Sequence, residues 1–348
     1  MMPILRRLLA LAACLLIAQA SQGATRQLLI LNWSDYLDPA LIEAFERQRD
    51  VKVIESYYST DEARTQMLLE NDAEGYDLIL TSGSDLAAYA KRRWIAPLEH
   101  ARLANFRHID PYWLRAFPAA QRYGVPYFWG TLGIAYRSDL VNAPISTWQQ
   151  LFRPAAELRG KIAMIDDTRD LIGMSLKALG YSANSSDAGQ LKAAQALLLA
   201  QKPHVRSYNY ISLDETSPIL SGEIVASMMY SGDALMLQAH NEHLRYVLPS
   251  EGGNLWIDYF ALGYRARSPD LAYAFLDFIN VPANAAQQAQ YVHYATPNRA
   301  AQALLPEDLL ADPVIYPDSA SLASSEFYSP LPARALRLRN QISASILR

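Results

Sequence analysis

The polar and apolar positions of the chain fall into short, regular blocks. Leu28-Leu29-Ile30-Leu31 is an apolar run of the length of a buried strand, and it ends abruptly in Asn32-Trp33-Ser34-Asp35-Tyr36. Asp38-Pro39 then reads as a helix cap with proline in the first turn, and Leu41, Ile42 and Phe45 continue at helical spacing towards Arg49. A strand that alternates apolar and polar residues follows at Val51 to Tyr57, then a helix from Asp61 to Glu70 and a strand from Tyr76 to Leu80. This βαβαβ rhythm predicts a parallel sheet with helices on its faces. Thr81-Ser82-Gly83-Ser84-Asp85 ends the third strand and opens a helix through Ala87 to Arg92.

The pattern then restarts. An aromatic-rich approach, Tyr123 to Thr131, leads into a strand at Leu132 to Tyr136. From about Asn142 come a helix near Thr147 to Leu151, a strand at Lys161 to Ile165, and Asp166-Asp167-Thr168-Arg169-Asp170 opening a helix through Ala178. Helix Asp187 to Gln201, strand Val205 to Tyr208, a short helix near Ser217 to Ser221 and strand Ile224 to Tyr230 continue the alternation. Ser231-Gly232-Asp233 starts a helix to about Asn241, and strands at Leu244 to Leu248 and Leu255 to Leu262 follow. Helices at Pro269 to Asn280, Ala283 to Tyr291 and Arg334 to Ile346 complete the chain. The fold class predicted is α/β, in two units.

Composition adds limits. The chain of 348 residues is 51% hydrophobic and 19% charged, as expected of a globular protein large enough for two cores. Its N-terminus carries Arg6 and Arg7, an apolar run from Leu8 to Ala18 and the small-x-small signal Ala18-Gln19-Ala20. That is the pattern of a secretory signal peptide over residues 1–20, with cleavage as late as residue 24 an alternative, and the run is short for a membrane span. Leu11-Ala12-Ala13-Cys14 is similar to a lipid-attachment box, but the apolar run before Cys14 is very short and continues past it, so conventional cleavage is the preferred reading. Cys14 is the only cysteine, which leaves the mature chain without disulfide or thiolate chemistry. Without Arg6 and Arg7 there are 29 basic against 35 acidic residues, a formal charge of −6 that does not suit nucleic acid.

No nucleophile elbow, zinc-protease helix or glycine-rich phosphate loop occurs, and the six histidines are scattered. His240 and His243 would need further ligands to hold a metal. Asp166, Asp167 and Asp170 lack the glycine and bidentate glutamate of a calcium loop. The expectation is therefore a protein with no catalytic step, no cofactor and no metal.

The recurring signal is aromatic and acidic residues together at strand ends. Trp33, Asp35 and Tyr36 close the first strand, Tyr230 and Asp233 another, and Trp256 and Asp258 lie two apart in a third; Asp167 and Asp170 sit one turn apart at a helix start. Organic ammonium ions need that combination. A carboxylate neutralises the charge, and a ring face attracts it for about 0.5–2 kcal/mol per contact while burying methylenes. Taken singly, each aspartate at a helix start also reads as a plain cap, and Trp256 as core.

Read together and in order, these motifs resemble a known family. Asn32-Trp-Ser-Asp-Tyr36, Tyr76-Asp-Leu-Ile-Leu-Thr-Ser82, Val125-Pro-Tyr-Phe-Trp-Gly-Thr-Leu-Gly-Ile-Ala-Tyr136, Asp166-Asp-Thr-Arg-Asp170, Leu179-Gly-Tyr-Ser-Ala-Asn184, Glu251-Gly-Gly-Asn-Leu-Trp-Ile-Asp258 and Tyr294-Ala-Thr-Pro-Asn298 resemble the periplasmic spermidine/putrescine-binding proteins of bacterial ABC importers and their sensor relatives. The likeness runs unbroken from about Leu28 to Asp318.

The resemblance implies a two-lobed type II periplasmic binding protein, each lobe a mixed, mostly parallel sheet flanked by helices, joined by two crossing strands. The lobes implied are residues 25–134 plus 257–303 and residues 135–256 plus 304–348. It implies a monomer that closes on a linear polyamine and passes it to an inner-membrane ABC permease, or else reports it to a membrane signalling receptor. Trp33 and Tyr36 match the walls around the alkyl chain, and Ser34, Asp35 and Ser82 match flanking ligand positions. Asp167 and Asp170 match the pair that grips an amine, and Tyr230, Asp233, Trp256, Asp258 and Tyr294 match the remaining ligand residues. Tyr230 stands where tryptophan is usual, Asp35 where the spermidine binders have glutamate and Ser84 where they have tyrosine, whereas Asp233 follows the putrescine-preferring branch; ligand length stays open. Arg334, Arg337 and Arg339 in the tail also depart from the family. They read either as the solvated face of an amphipathic helix or as a docking surface.

Overall fold

A computed structural model describes residues 26–347; the leader, its cleavage site and Cys14 lie outside the described residues. Strand β1 (Arg26–Trp33) shows how an apolar run becomes a central strand. Leu28 and Ile30 turn to one face and pack with helix residues such as Phe45 and Phe275, whereas Leu31 turns to the other and packs with Ile79 and Trp94. A strand with a core on each side needs no polar face, hence the unbroken aliphatic run. Helix α1 (Pro39–Arg49) starts where the cap signal predicts, with Asp38 Oδ1 accepting the Ala40 N–H at 2.8 Å, and ends on Asp50 in the left-handed region at φ 50°.

Strand β2 (Val51–Tyr58), helix α2 (Asp61–Glu70), strand β3 (Leu78–Ser82) and helix α3 (Leu86–Lys91) follow. Both β2 and β3 pair parallel to β1, as the βαβαβ rhythm requires. The remaining strands are β4 (Val125–Arg137), β5 (Ile162–Ala163), β6 (Val205–Ser207), β7 (Ala226–Tyr230), β8 (Leu244–Val247) and β9 (Leu255–Leu262). They join one mixed sheet of order β2-β1-β3-β9-β4-β7-β5-β6, with β8 also on β4. Its ends are parallel, and its middle, around β4 and β9, is antiparallel.

β4 differs most from expectation. The sequence predicts a strand only from Leu132, yet all thirteen residues from Val125 are extended and buried. The first half pairs with β9, and the register slips between Pro126 and Trp129. A bulge is where a strand tolerates proline, so the aromatic approach is strand as well.

β4 also links two sets of apolar clusters. Val125, Tyr127, Phe128 and Trp129 pack with β1, β3 and β9, whereas Leu132, Ile134 and Tyr136 pack with helix α4 (Thr168–Ala178) and helix α5 (Ala188–Gln201). The chain returns between Val247 and Leu255 and crosses again between Phe327 and Tyr328. Residues 304–322, expected with the second unit, pack with the first. Leu305 and Ile315 are in its core, and the Tyr316 ring meets Trp129 edge-on at 6.0 Å.

Three further helices complete the first set and its neighbour: α6 (Ser231–Gln238), α7 (Pro269–Ile279) and α8 (Pro282–Val292). The last helix, α9 (Ala333–Leu347), lies on α4 and α5 through Ile342 and Ile346. Arg334 and Arg337 are exposed, but Arg339 is buried, with one guanidinium nitrogen donating to the carbonyls of Ala183 at 2.7 Å and Ser185 at 2.9 Å. The tail arginines therefore do not share one face, and Arg339 belongs neither to a solvated stripe nor to a docking surface. Among the described residues, no helix is long and apolar enough to cross a membrane, and no group of three or more His, Cys, Asp or Glu side chains is arranged to hold a metal.

Candidate ligand site

The strand ends converge on one cleft of about 610 Å³ between the two sets of clusters. All twelve residues singled out in the sequence line it. Trp33, Ser34, Asp35 and Tyr36 come from the end of β1 and its turn, Ser82 from the end of β3, Asp167 and Asp170 from the start of α4. Tyr230 ends β7, Asp233 lies in the first turn of α6, Trp256 and Asp258 project from β9, and Tyr294 follows α8. Ser34 and Asp35 are exposed at the rim, joined by a hydroxyl–carboxylate hydrogen bond of 2.9 Å, with Asp35 at φ 56° in the left-handed conformation that aspartate tolerates. Ser82 is neither free nor a helix cap. Its hydroxyl lies 3.1 Å from that of Ser84 and within 3.4 Å of carboxylate oxygens of Asp61 and Asp85.

Aromatic rings form the walls. Trp256 meets Tyr294 edge-on at 4.9 Å and Tyr230 at 6.0 Å, Tyr36 meets Tyr294 at 5.9 Å, and Trp33 leans on Tyr58 at 4.3 Å. Two glycines admit these rings. A Cβ on Gly130 would come within 2.8 Å of Trp256 and one on Gly232 within 2.7 Å of Tyr294. Three polar atoms in the lining are buried without a partner among the described residues: the Tyr36 hydroxyl, the Trp256 indole nitrogen and the amide oxygen of Asn254.

The charge is one-sided. Among the described residues, eight aspartates line the cleft, and Arg169 is its only basic residue. Asp170 accepts from the Tyr230 hydroxyl at 2.6 Å and the Tyr328 hydroxyl at 2.7 Å, yet burial and the neighbouring Asp167 push its pKa up to about 8. Asp167 caps α4 through the N–H groups of Arg169 and Asp170, and burial, with Glu62 and Asp61 facing it, raises its carboxyl well above the usual range. Burial and Asp61 push Asp258 up to about 7. Asp233, held by the hydroxyls of Tyr210 and Tyr294, is raised by burial. These are carboxylates kept out of water without enough positive charge, which is the electrostatic complement of a cation.

That arrangement has a cost in the empty protein. A carboxyl whose folded pKa lies above its ordinary value stabilises the fold fully at low pH, and the contribution is lost as pH rises through the folded value. With Asp258 at about 7 and Asp170 at about 8, the ligand-free protein should lose thermal stability between about pH 5 and pH 8. A melting series checks this, and Asp170→Asn should flatten the slope; an unchanged slope would remove Asp170 as its source.

Arg169 has a separate task. It reaches across the cleft from α4, donating to Ser84 Oγ at 2.6 Å and to Asp85 Oδ1 at 3.0 Å. Asp85 also receives the buried Arg64 at 2.6 Å, and despite burial the two guanidiniums, Arg169 first, hold its carboxyl below the usual range.

Sequence reading did not single out Tyr58, Asp61, Tyr210, Asn254 or Tyr328, all of which line the cleft. Asp61 and Asn254 carried a usable signal, since one starts a helix beside β2 and the other precedes Trp256 by two residues and so shares its strand face. Tyr210 and Tyr328 lie in irregular segments that only the tertiary fold brings in.

Comparison with known proteins agrees with the geometry. Residues 40–316 match the family model described as bacterial extracellular solute-binding protein. A spermidine/putrescine-binding periplasmic protein of Salmonella typhimurium is 32% identical over 320 residues, 91% of this chain and 90% of that one. A putrescine/cadaverine-binding protein of Pseudomonas aeruginosa is 29% identical over 97% of this chain and 98% of its own. Among solved structures, a spermidine/putrescine ABC transporter substrate-binding protein of Streptococcus pneumoniae superposes with a TM-score of 0.78 at 29% identity, covering 92% of this chain and 98% of that one.

Proposed function

Since the chain belongs to the bacterial extracellular solute-binding proteins, we propose that it is a periplasmic polyamine-binding protein that takes up putrescine, spermidine or a related linear polyamine and delivers it to an ABC importer. The observation that carries this reading is the cleft itself, in which eight aspartates and one arginine are set among aromatic walls. Ammonium groups would sit on Asp258, Asp233 and the Asp167–Asp170 pair. The methylenes between them would lie against Trp33, Tyr36, Tyr230, Trp256 and Tyr294, at about 0.8 kcal/mol per buried methylene. The names of the relatives support the ligand class.

In this reading the two sets of clusters are two lobes, residues 26–131 with 255–327 and residues 132–254 with 328–347. Asp258, Trp33 and Tyr36 belong to the first, and Asp167, Asp170 and Asp233 to the second. A ligand that touches both favours the closed arrangement by the difference in its contacts between the two states. No chemical step is required of the protein, in keeping with a family of solute-binding proteins.

Calorimetry with putrescine, spermidine and norspermidine tests the proposal. Micromolar or tighter binding is expected for at least one, and failure of all three overturns it. Repeating the titration in buffers of different ionisation enthalpy should show protons released near pH 7. A bound ammonium favours the charged carboxylates, so Asp170 and Asp258 lose protons on binding and affinity rises from pH 6 to pH 8.

A further inference from the structure

Asp61 lines the cleft, yet the protein uses only half of its carboxylate. Oδ1 receives the buried Arg64 guanidinium at 2.5 Å, whereas Oδ2 has only the Ser82 hydroxyl, at 3.4 Å. The side chain is 22% exposed, so water and ligand reach it. A carboxylate has about four acceptor sites, and most of those on Asp61 are open.

Neighbouring contacts fix where it stands. Arg64 holds Asp61 and Asp85 side by side, Asp85 receives Arg169 at 3.0 Å, and Arg169 donates to Ser84 at 2.6 Å. The Ser84 hydroxyl lies 3.1 Å from that of Ser82, which closes a ring back to Asp61. Ser82 pairs across the strands with Asp258 of the first lobe, and Arg169 lies two residues beyond Asp167 of the second. Asp61 therefore stands in the first lobe between Asp258 and the Asp167–Asp170 pair. The electrostatics agree: burial and then Asp61 raise the carboxyl of Asp258, and burial, Glu62 and Asp61 raise that of Asp167.

The arginines of the ring do not satisfy this region. Both guanidiniums converge on Asp85, and around them are the carboxyls of Asp61, Glu62, Asp167, Asp170 and Asp258 as well. Carboxyl groups of both lobes thus face one another with too little positive charge between them.

We propose that Asp61 is a further ligand-binding residue, whose Oδ2 accepts from the first lobe the ammonium group that Asp167 and Asp170 hold from the second. The inference rests on the polyamine reading and adds a residue to it. An ammonium has three N–H donors, so a single nitrogen can take oxygens from both lobes at once. That end of the ligand then favours the closed arrangement by its own contacts.

The test is calorimetry with putrescine and spermidine, together with a structure of the complex. Asp61→Asn keeps an oxygen for Arg64 and removes the charge, and both affinities should fall at least about tenfold, the scale of one charged hydrogen bond. In the complex of the unaltered protein a ligand nitrogen should lie within about 3.2 Å of an Asp61 carboxylate oxygen, a result that stands even where Asp61→Asn does not fold. Affinities within about threefold of the original in a folded Asp61→Asn protein, or a bound ligand with no nitrogen within about 4 Å of Asp61, would confine Asp61 to its pairing with Arg64 and overturn the proposal. If the unaltered chain binds neither these amines nor norspermidine, the polyamine reading itself fails.

Discussion

Asp258→Ala should weaken polyamine binding by roughly 2–5 kcal/mol, the cost of leaving one partner of a buried, charge-assisted pair alone. Asp258 sits on β9 opposite Ser82 of β3, 8% exposed, with Trp33 and Tyr36 close to its carboxyl. Water cannot replace the lost carboxylate without entering a cleft walled by rings. The same residue has the opposite effect on the empty protein. Its raised pKa means that its charge opposes folding above neutral pH, so Asp258→Asn should bind polyamine poorly and yet melt higher at pH 8 than the unaltered chain. Calorimetry and thermal melting on the same preparation separate the two effects. Full affinity in Asp258→Ala would remove Asp258 from the site, and a lower melting point in Asp258→Asn would make its role structural.

The largest effect on stability is expected at Arg64. Its guanidinium is fully buried and engaged on every side: Asp61 at 2.5 Å, Asp85 at 2.6 Å, the Tyr89 hydroxyl at 3.1 Å, and the rings of Tyr58 and Tyr89 at 5.2 and 5.6 Å. Burial alone would disfavour the charge, but the surrounding Asp61, Tyr89, Tyr58 and Asp85 keep Arg64 firmly protonated. Arg64→Ala takes the ion-pair partner from Asp61 and leaves Asp85 to Arg169 alone, and should cost about 3–5 kcal/mol of folding free energy, measured by urea denaturation. A loss below about 1 kcal/mol, the scale of an exposed ion pair, would show that water reaches these carboxylates.

Much of this molecule is legible from patterning. The run Leu28 to Leu31, bounded by a polar cluster, announces both a central strand and the site at its end, because a strand with core on both faces is aliphatic and its terminus is where a cleft opens. The pairing of rings with aspartates at Tyr230 and Asp233, and at Trp256 and Asp258, is equally local, and all four residues meet in one place. What escapes is set by contacts distant in sequence. The first half of β4 reads as loop because it contains a proline and three aromatics, and only the slipped pairing with β9 makes it strand. Residues 304–322 have no periodicity that says which core they join; Tyr316 against Trp129 decides it. Tyr328 and Tyr210 supply hydrogen bonds to Asp170 and Asp233 from segments with no motif.

The bridge from Arg169 to Asp85 bears on how faithfully such a protein reports its ligand. It ties the lobes together with no ligand involved, and so sets a background of molecules that adopt the occupied shape while empty. The crowded carboxylates of the cleft act against it, since closing over them without a cation confines like charges away from water. Under the function proposed above, this one arginine therefore sets how much of the empty protein takes the closed shape, and the aspartates set how far a bound cation raises that share.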